Sequence, residues 1–275
     1  MDGSTPIMVH SGGSSSSKTY SVLQALFTIA ATKEGKIITV VGQDIPNLKK
    51  GAIRDAASIV GSTPFFEGMI EGYNRSDHVY KFKTGSVIEF TSYDTEQDAK
   101  SGKRTHCFLN EANGIDYGIF EQLRIRTSEL TVLDFNPSAE FWAHKYLQGR
   151  DDVTWINSTY KDNAFINPSV KSAILSYEPT PENIARGTAN LYRWQVYGLG
   201  QLGRLEGLVY PNFKTVDSWP SENAIKWTAY GLDFGFTNDP TALIECCQAH
   251  GELYFREIIY STGLTNADIC ERMQQ

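Results

Sequence analysis

The segment Gly12 to Thr19, GGSSSSKT, limits what this chain can be more than any other stretch. Small residues let consecutive backbone N–H groups wrap an anion, and Lys followed by Thr adds a point charge and a metal-binding hydroxyl. The spacing is that of a phosphate loop at every fixed position but one, because Ser17 stands where a second glycine is usual. A short apolar strand at residues 6–10 runs into the loop, and residues 20–32 are apolar on most sides, as a helix buried against a sheet is. The helix start adds its positive end to the anion site. A flexible serine-rich linker would need neither flanking element. On this reading Gly12, Gly13, Ser14, Ser15, Ser16 and Ser17 wrap the phosphates of ATP, Lys18 reaches the β- and γ-phosphates, and Thr19 sits on Mg2+. Ser17 resists the positive φ that a glycine takes freely.

The rest of the chain predicts an α/β fold, a mostly parallel sheet with flanking helices. Strand-like and helix-like apolar runs alternate over the first two-thirds. Residues 36–43 (KIITVVGQ) read as a strand covered on both faces. A hairpin is expected at residues 79–82 and 87–90 around Thr84-Gly85, with further strands at 105–109, 130–135 and 153–157. Thr180-Pro181-Glu182 carries the signals of a helix start, and a single helix is predicted from there to about residue 197. Gly198, Gly200, Gly203 and Gly207 crowd one segment, so the junction between domains is placed at residues 198–221. Strands at 229–234, 242–247 and 253–260 and a helix at 266–273 follow. They are too few for a finished domain.

A phosphate loop needs a strand that ends in a carboxylate. Residues 106–111, HCFLNE, supply an apolar strand ending in Asn-Glu, where Asp-Glu is usual. Glu111 is then the residue that orients the attacking water, and Asn110 meets a metal-bound water through its carbonyl. A strand inserted between the loop strand and the acid-bearing strand is the arrangement of motor ATPases, as opposed to small kinases. The formal net charge of −7 argues against a broad nucleic-acid-binding face and confines any DNA contact to a local basic patch. The four cysteines form no CxxC pair and read as reduced thiols. No apolar run approaches the roughly 18–20 residues that span a bilayer.

In this order the motifs resemble those of the large terminase subunits of tailed bacteriophages and prophages. GGSSSSKT resembles their Walker A loop, CFLNEAN (residues 107–113) their Walker B segment, and VLDFNPS (132–138) their coupling motif. That resemblance implies that Asn136, and less directly Asp134, senses the γ-phosphate. STYKDNAFI (158–166) is similar to a run between the last ATPase strand and the helical linker subdomain, and GLDFGFTNDPTAL (231–243) to the first motif of an RNase H-like nuclease. Asp233 would there be a metal ligand for Mg2+ or Mn2+, with the partner acids of a two-metal site on later strands.

The domains implied are a P-loop ATPase domain at residues 1–161, a helical linker and junction at 162–221, and an incomplete nuclease start at 222–275. Family members also carry, ahead of the loop, an extension that holds the adenine ring, whereas eleven residues precede Gly12 here.

The resemblance implies an ATP-hydrolysing motor that moves double-stranded DNA into a procapsid in the host cytoplasm. Its partners would be a portal protein, a small terminase subunit and sister subunits in a homo-oligomeric ring, with no membrane. In such a ring a basic residue completes the neighbour's site, and Lys100 or Arg104 is expected to do so, with Arg124 and Arg126 as alternatives. Two other readings stand beside this one. A helicase would need further motifs after the linker, and a prophage remnant would bind nucleotide without turnover.

Overall fold

The computed structural model describes residues 6–203, 214–235 and 240–273. The chain divides into two compact units, residues 1–207 and 208–275, and the division falls within the glycine-rich stretch.

The first unit is built on one sheet. Among the described residues its strands are β1 (Ile7–Gly12), β2 (Ile37–Val41), β3 (Ile70–Asn74), β4 (Val79–Phe82), β5 (Val87–Thr91), β6 (Arg104–Leu109), β7 (Thr127–Phe135) and β8 (Val153–Ser158). They lie in the order β3-β4-β5-β2-β6-β7-β1-β8. From β5 to β8 every pairing is parallel, and only the β3-β4-β5 edge is antiparallel. The expected hairpin is the β4-β5 pair, turned by Gly85 at φ +75°. Strand β7 lies between β1 and β6, so one strand separates the phosphate loop from the acid-bearing strand.

Both faces of the sheet are covered. Helix α1 (Lys18–Thr32) buries Val22, Leu23, Leu26 and Phe27 on one face, together with α2 (Ile45–Lys50), α3 (Ala52–Ser62) and α4 (Pro64–Met69). Each fully buried large apolar side chain stabilises by roughly 1.5–3 kcal/mol relative to exposure. The opposite face is closed by α5 (Tyr117–Arg124) and α6 (Trp142–Tyr146). Strand alternation assigns side chains to these faces. Phe108 and Val132 face the α1 side, whereas Leu109, Leu133 and Phe135 face the other. Asn110 and Asp134 share the parity of Phe108 and Val132, and so point toward α1.

The helical segment after β8 departs from expectation. In place of one helix from 180 to 197 there are α7 (Pro168–Leu175), α8 (Pro181–Ala185) and α9 (Leu191–Arg193), which runs on into a π turn over Trp194–Gly198. Gly187 at φ +69° ends α8, and Asn190 restarts the chain by accepting a hydrogen bond from the Arg193 N–H at 2.8 Å. Trp194, Tyr160 and Ile174 form the small core of this segment.

The second unit holds an antiparallel sheet β11-β10-β9, from β9 (Ile225–Asp233), β10 (Thr241–Ala249) and β11 (Glu252–Ser261), and α10 (Asn266–Met273). Strand β9 begins four residues earlier than the sequence suggested, at Ile225 instead of Ala229. Leu243, Ile259, Leu264 and Ile269 make its core. No helix among the described residues is long and apolar enough to cross a membrane.

Candidate active site

The carboxyl ends of β1, β6 and β7 meet at one place, and the expected residues gather there. Parallel α/β sheets bind ligands outside such strand ends because loops and helix N-termini converge on them. The chain leaves β1 at Gly12, turns through residues 13–17 and enters α1 at Lys18. Ser15 and Ser17 both take left-handed backbone, at φ 59° and 66°. The missing glycine therefore leaves the loop its shape and adds strain, about 1–2 kcal/mol for an L-residue in this region. Ser17 caps α1 without a side-chain hydrogen bond to it.

Inside the loop the Ser16 hydroxyl is buried with no hydrogen-bond partner. A buried polar atom is ordinarily satisfied, and an orphan hydroxyl at the mouth of a helix N-terminus fits a phosphate oxygen. Lys18, nearly buried, reaches back to the Gly13 carbonyl at 3.5 Å and donates to Asn136 Oδ1 at 2.8 Å. Asn136 in turn lies 3.5 Å from Ser14 Oγ through its Nδ2. Its placement follows from Asn-Pro directly beyond β7, which stops the strand and turns the amide onto the loop.

Asp134 is the hub. It is fully buried, its Oδ2 accepts from the Thr19 hydroxyl, and its Oδ1 accepts from Asn110 Nδ2 at 3.0 Å and from the Glu111 backbone N–H at 2.8 Å. Glu111 itself has φ 52°, a left-handed turn that throws its carboxylate out of line with β6. Its side chain is reached by solvent but sits in a crowded cleft. Desolvation, reinforced by the Asp134 charge and opposed by Lys18, holds its pKa above the usual carboxylate range. A carboxylate with that shift is a better base near neutral pH.

The end of β8 and the segment after it touch the loop from outside. The Gly13 N–H donates to the Ser158 carbonyl at 2.8 Å, and Asn163 Nδ2 donates to the Ser15 carbonyl at 2.8 Å. The Gly203 N–H reaches the Pro137 carbonyl at 2.9 Å, and the Tyr192 hydroxyl reaches the Ser138 carbonyl at 3.0 Å. Both the loop and the Asn136 motif are therefore tied to residues 157–203. The sequence reading named the STYKDNAFI run but missed these contacts.

Arg104 and Asn110 sit differently from expectation, and Asp233 ends its strand as expected. Arg104 does not extend toward a neighbour: it is 4% exposed, and its Nη2 donates to the Ser101 and Gly102 carbonyls at 3.0 and 3.3 Å. It lies beside Cys107, whose thiol burial pushes up to about 11. The carbonyls curled over its Nη2 hold this strand-start Arg at home, while its Nε and Nη1 are buried without a hydrogen-bond partner; Lys100 and Lys103 are exposed. Asn110 turns its NH2 group, not its carbonyl, toward Asp134 and Thr19. Asp233 ends β9, exposed and paired in register with Ala242, and no group of three His, Cys, Asp or Glu side chains gathers around a point among the described residues.

With this geometry in place, the sequence profile described as phage terminase large subunit matches residues 5–199. The chain belongs to that family. Among solved structures, the large terminase of a thermophilic bacteriophage in complex with ADP superposes with a TM-score of 0.59 at 17% identity, over 98% of this chain and 68% of that one. The same thermophilic phage terminase with ATP-gamma-S gives a TM-score of 0.56 at 17% identity, over 98% and 68% of the two chains. At such identity the likeness speaks for the fold. No curated protein matches the sequence. The terminase chain thus carries the α/β ATPase fold of a DNA-packaging motor, with β1, β7 and β6 adjoining in one sheet.

Proposed function

We propose that this terminase subunit hydrolyses ATP at the Gly12–Thr19 loop and uses the cycle to translocate double-stranded DNA. The observation that carries this reading is the convergence on one strand-end cleft of the Lys18–Asn136 bond, the Thr19–Asp134–Asn110 bonds and Glu111. ATP fits because the loop offers the Ser16 hydroxyl, the Lys18 ammonium and the α1 N-terminus to its phosphates. Mg2+ fits beside Thr19, where, when bound, it neutralises charge developing between the β- and γ-phosphates. The thermophilic phage terminase, which shares the fold, was crystallised with ADP and with ATP-gamma-S.

The chain's own residues then divide the work. Lys18 stabilises negative charge on the β- and γ-oxygens. Glu111 orients the attacking water and accepts its proton. Asn136 holds Lys18 and meets the γ-phosphate. Gly13, Ser15, Pro137 and Ser138 bond residues 157–203, so a change at the γ-phosphate is passed to the linker segment, which would move DNA. Lys100 is the exposed basic candidate for completing a neighbouring site in a ring. Portal protein, small terminase subunit and procapsid are the partners of this role. Asp233 is read as one metal ligand of a nuclease centre, and no DNA cleavage is assigned to the described residues.

The test is ATP hydrolysis by the purified chain with and without double-stranded DNA. Stimulation by DNA supports translocation. Hydrolysis indifferent to DNA at any salt concentration contradicts it.

A further inference from the structure

We propose that Asp134 supplies the metal carboxylate that β6 lacks, so that the Mg2+ of the bound nucleotide is held between Thr19 and Asp134 and Asn110 serves only to orient that carboxylate. This deepens the ATPase reading and rests on it. In a phosphate-loop enzyme the acid that ends the acid-bearing strand accepts a hydrogen bond from the loop Ser/Thr and faces the cation. Here the residue at that position is Asn110, which is neutral.

The strand register shows where the charge has gone. His10 on β1 is opposite Asp134, and Leu109 on β6 is opposite Leu133, so Asp134 stands one strand over from Asn110 at the same level. Both residues point to the α1 side, where Thr19 lies in the first turn of the helix. The Thr19 hydroxyl gives its hydrogen to Asp134 Oδ2 and meets the Asn110 amide with one lone pair, which leaves its other lone pair for a cation. Asn110 directs its NH2 group at Asp134 Oδ1 and at Thr19 Oγ1, 3.0 and 3.5 Å away, and a nitrogen carrying two hydrogens is no cation ligand.

The electrostatics agree. Asp134 is completely buried, yet among the described residues it forms no ion pair. Lys18, the cation of the loop, bonds Asn136 instead. A carboxylate removed from water with only neutral donors around it is costly, and a divalent cation at its edge offsets that cost. The same Oδ1 holds the Glu111 N–H, so one side chain positions the metal and the base together.

The experiment measures Mn2+ affinity by electron paramagnetic resonance on protein saturated with a non-hydrolysable ATP analogue. A parallel titration follows a fluorescent form of that analogue in EDTA. Asp134→Asn is expected to lose about 10–100-fold in Mn2+ affinity while its EDTA titration shows analogue binding no weaker than the parent's, and a parental thermal unfolding profile reports an intact fold. The exchanged variant Asn110→Asp/Asp134→Asn returns a carboxylate to the neighbourhood of Thr19 and is expected to regain most of that affinity. Parental Mn2+ affinity in Asp134→Asn overturns the proposal. If that single variant does not fold, the exchanged variant decides, and weak Mn2+ binding there with EDTA affinity intact overturns it too. A parent that binds the analogue with neither metal nor EDTA overturns the nucleotide-site reading as a whole, an outcome distinct from the loss of metal binding alone.

Discussion

Lys18 Nζ lies 2.8 Å from Asn136 Oδ1, across 118 residues of chain. The ammonium that would serve the phosphates bonds the amide that would sense them. On the proposed reading, ATP would draw Lys18 from that bond onto its phosphates, and the bond itself links the loop to the segment after β7. Asn136→Ala is expected to bind ATP with little change and to lower kcat by about 10–100-fold, because the group acts on charge that grows in the transition state. Steady-state hydrolysis beside equilibrium nucleotide binding checks the split. A variant that raises KM with unchanged kcat would assign Asn136 to simple binding.

Ser17 is strained at φ 66° and contributes no cap hydrogen bond. Ser17→Gly is therefore expected to stabilise the fold by up to about 1 kcal/mol and keep ATPase activity. Ser17→Val, β-branched in left-handed backbone, is expected to destabilise it. Thermal unfolding of the two variants gives the comparison, and a lower melting temperature for the glycine variant would contradict the account.

Gly200 has φ +62°, and a Cβ there would lie 2.7 Å from Asn157 Oδ1 and 2.8 Å from the Gly13 nitrogen. Only a glycine lets residues 198–203 close onto the phosphate loop. Gly200→Ala is expected to cost about 1–3 kcal/mol, seen as a drop of several degrees in melting temperature, and to weaken nucleotide binding through the displaced loop. An unfolding curve that matches the parent, with normal affinity, would show the contact to be incidental.

The pH profile follows from Glu111. Its pKa is raised by desolvation first and by Asp134 second, with Lys18 opposing. As the base it must be ionised, so kcat/KM falls as pH drops through that raised value, above the roughly 4.3 of an ordinary glutamate. The sign for stability is opposite. A carboxylate whose folded pKa is raised favours the fold when protonated, and that contribution is lost as pH rises through the folded pKa. Activity should then fall in acid while this group's contribution to the melting temperature is retained there and lost only as pH rises. A kcat/KM that stays flat down to about pH 4.3 would contradict the shift.

The phosphate loop, the hairpin and the inserted strand were legible because each rests on short-range signals: loop spacing, a Thr-Gly turn, β-branched runs. The break at Gly187 was not, since a helix start at Thr180 says nothing of where tertiary packing of Trp194 will restart the chain. The burial of Arg104 was also hidden, because the carbonyls two and three residues earlier that hold its Nη2 depend on how the turn before β6 folds. Asp134 was half visible. Its two-residue spacing from the buried Val132 puts it on the α1 face, and an Asn in the neighbouring strand's acid position asks where the charge has moved. Only the register of β6, β7 and β1 answers that.

The central claim is that this cleft hydrolyses ATP. The most direct measurement is Mg2+-dependent phosphate release by the parent, Lys18→Ala and Glu111→Gln, with nucleotide binding followed in the same samples. The account predicts turnover in the parent, loss of binding and turnover in Lys18→Ala, and retained binding with turnover reduced by about 100-fold or more in Glu111→Gln. A parent that binds ATP without releasing phosphate, or a Glu111→Gln variant as fast as the parent, would contradict it.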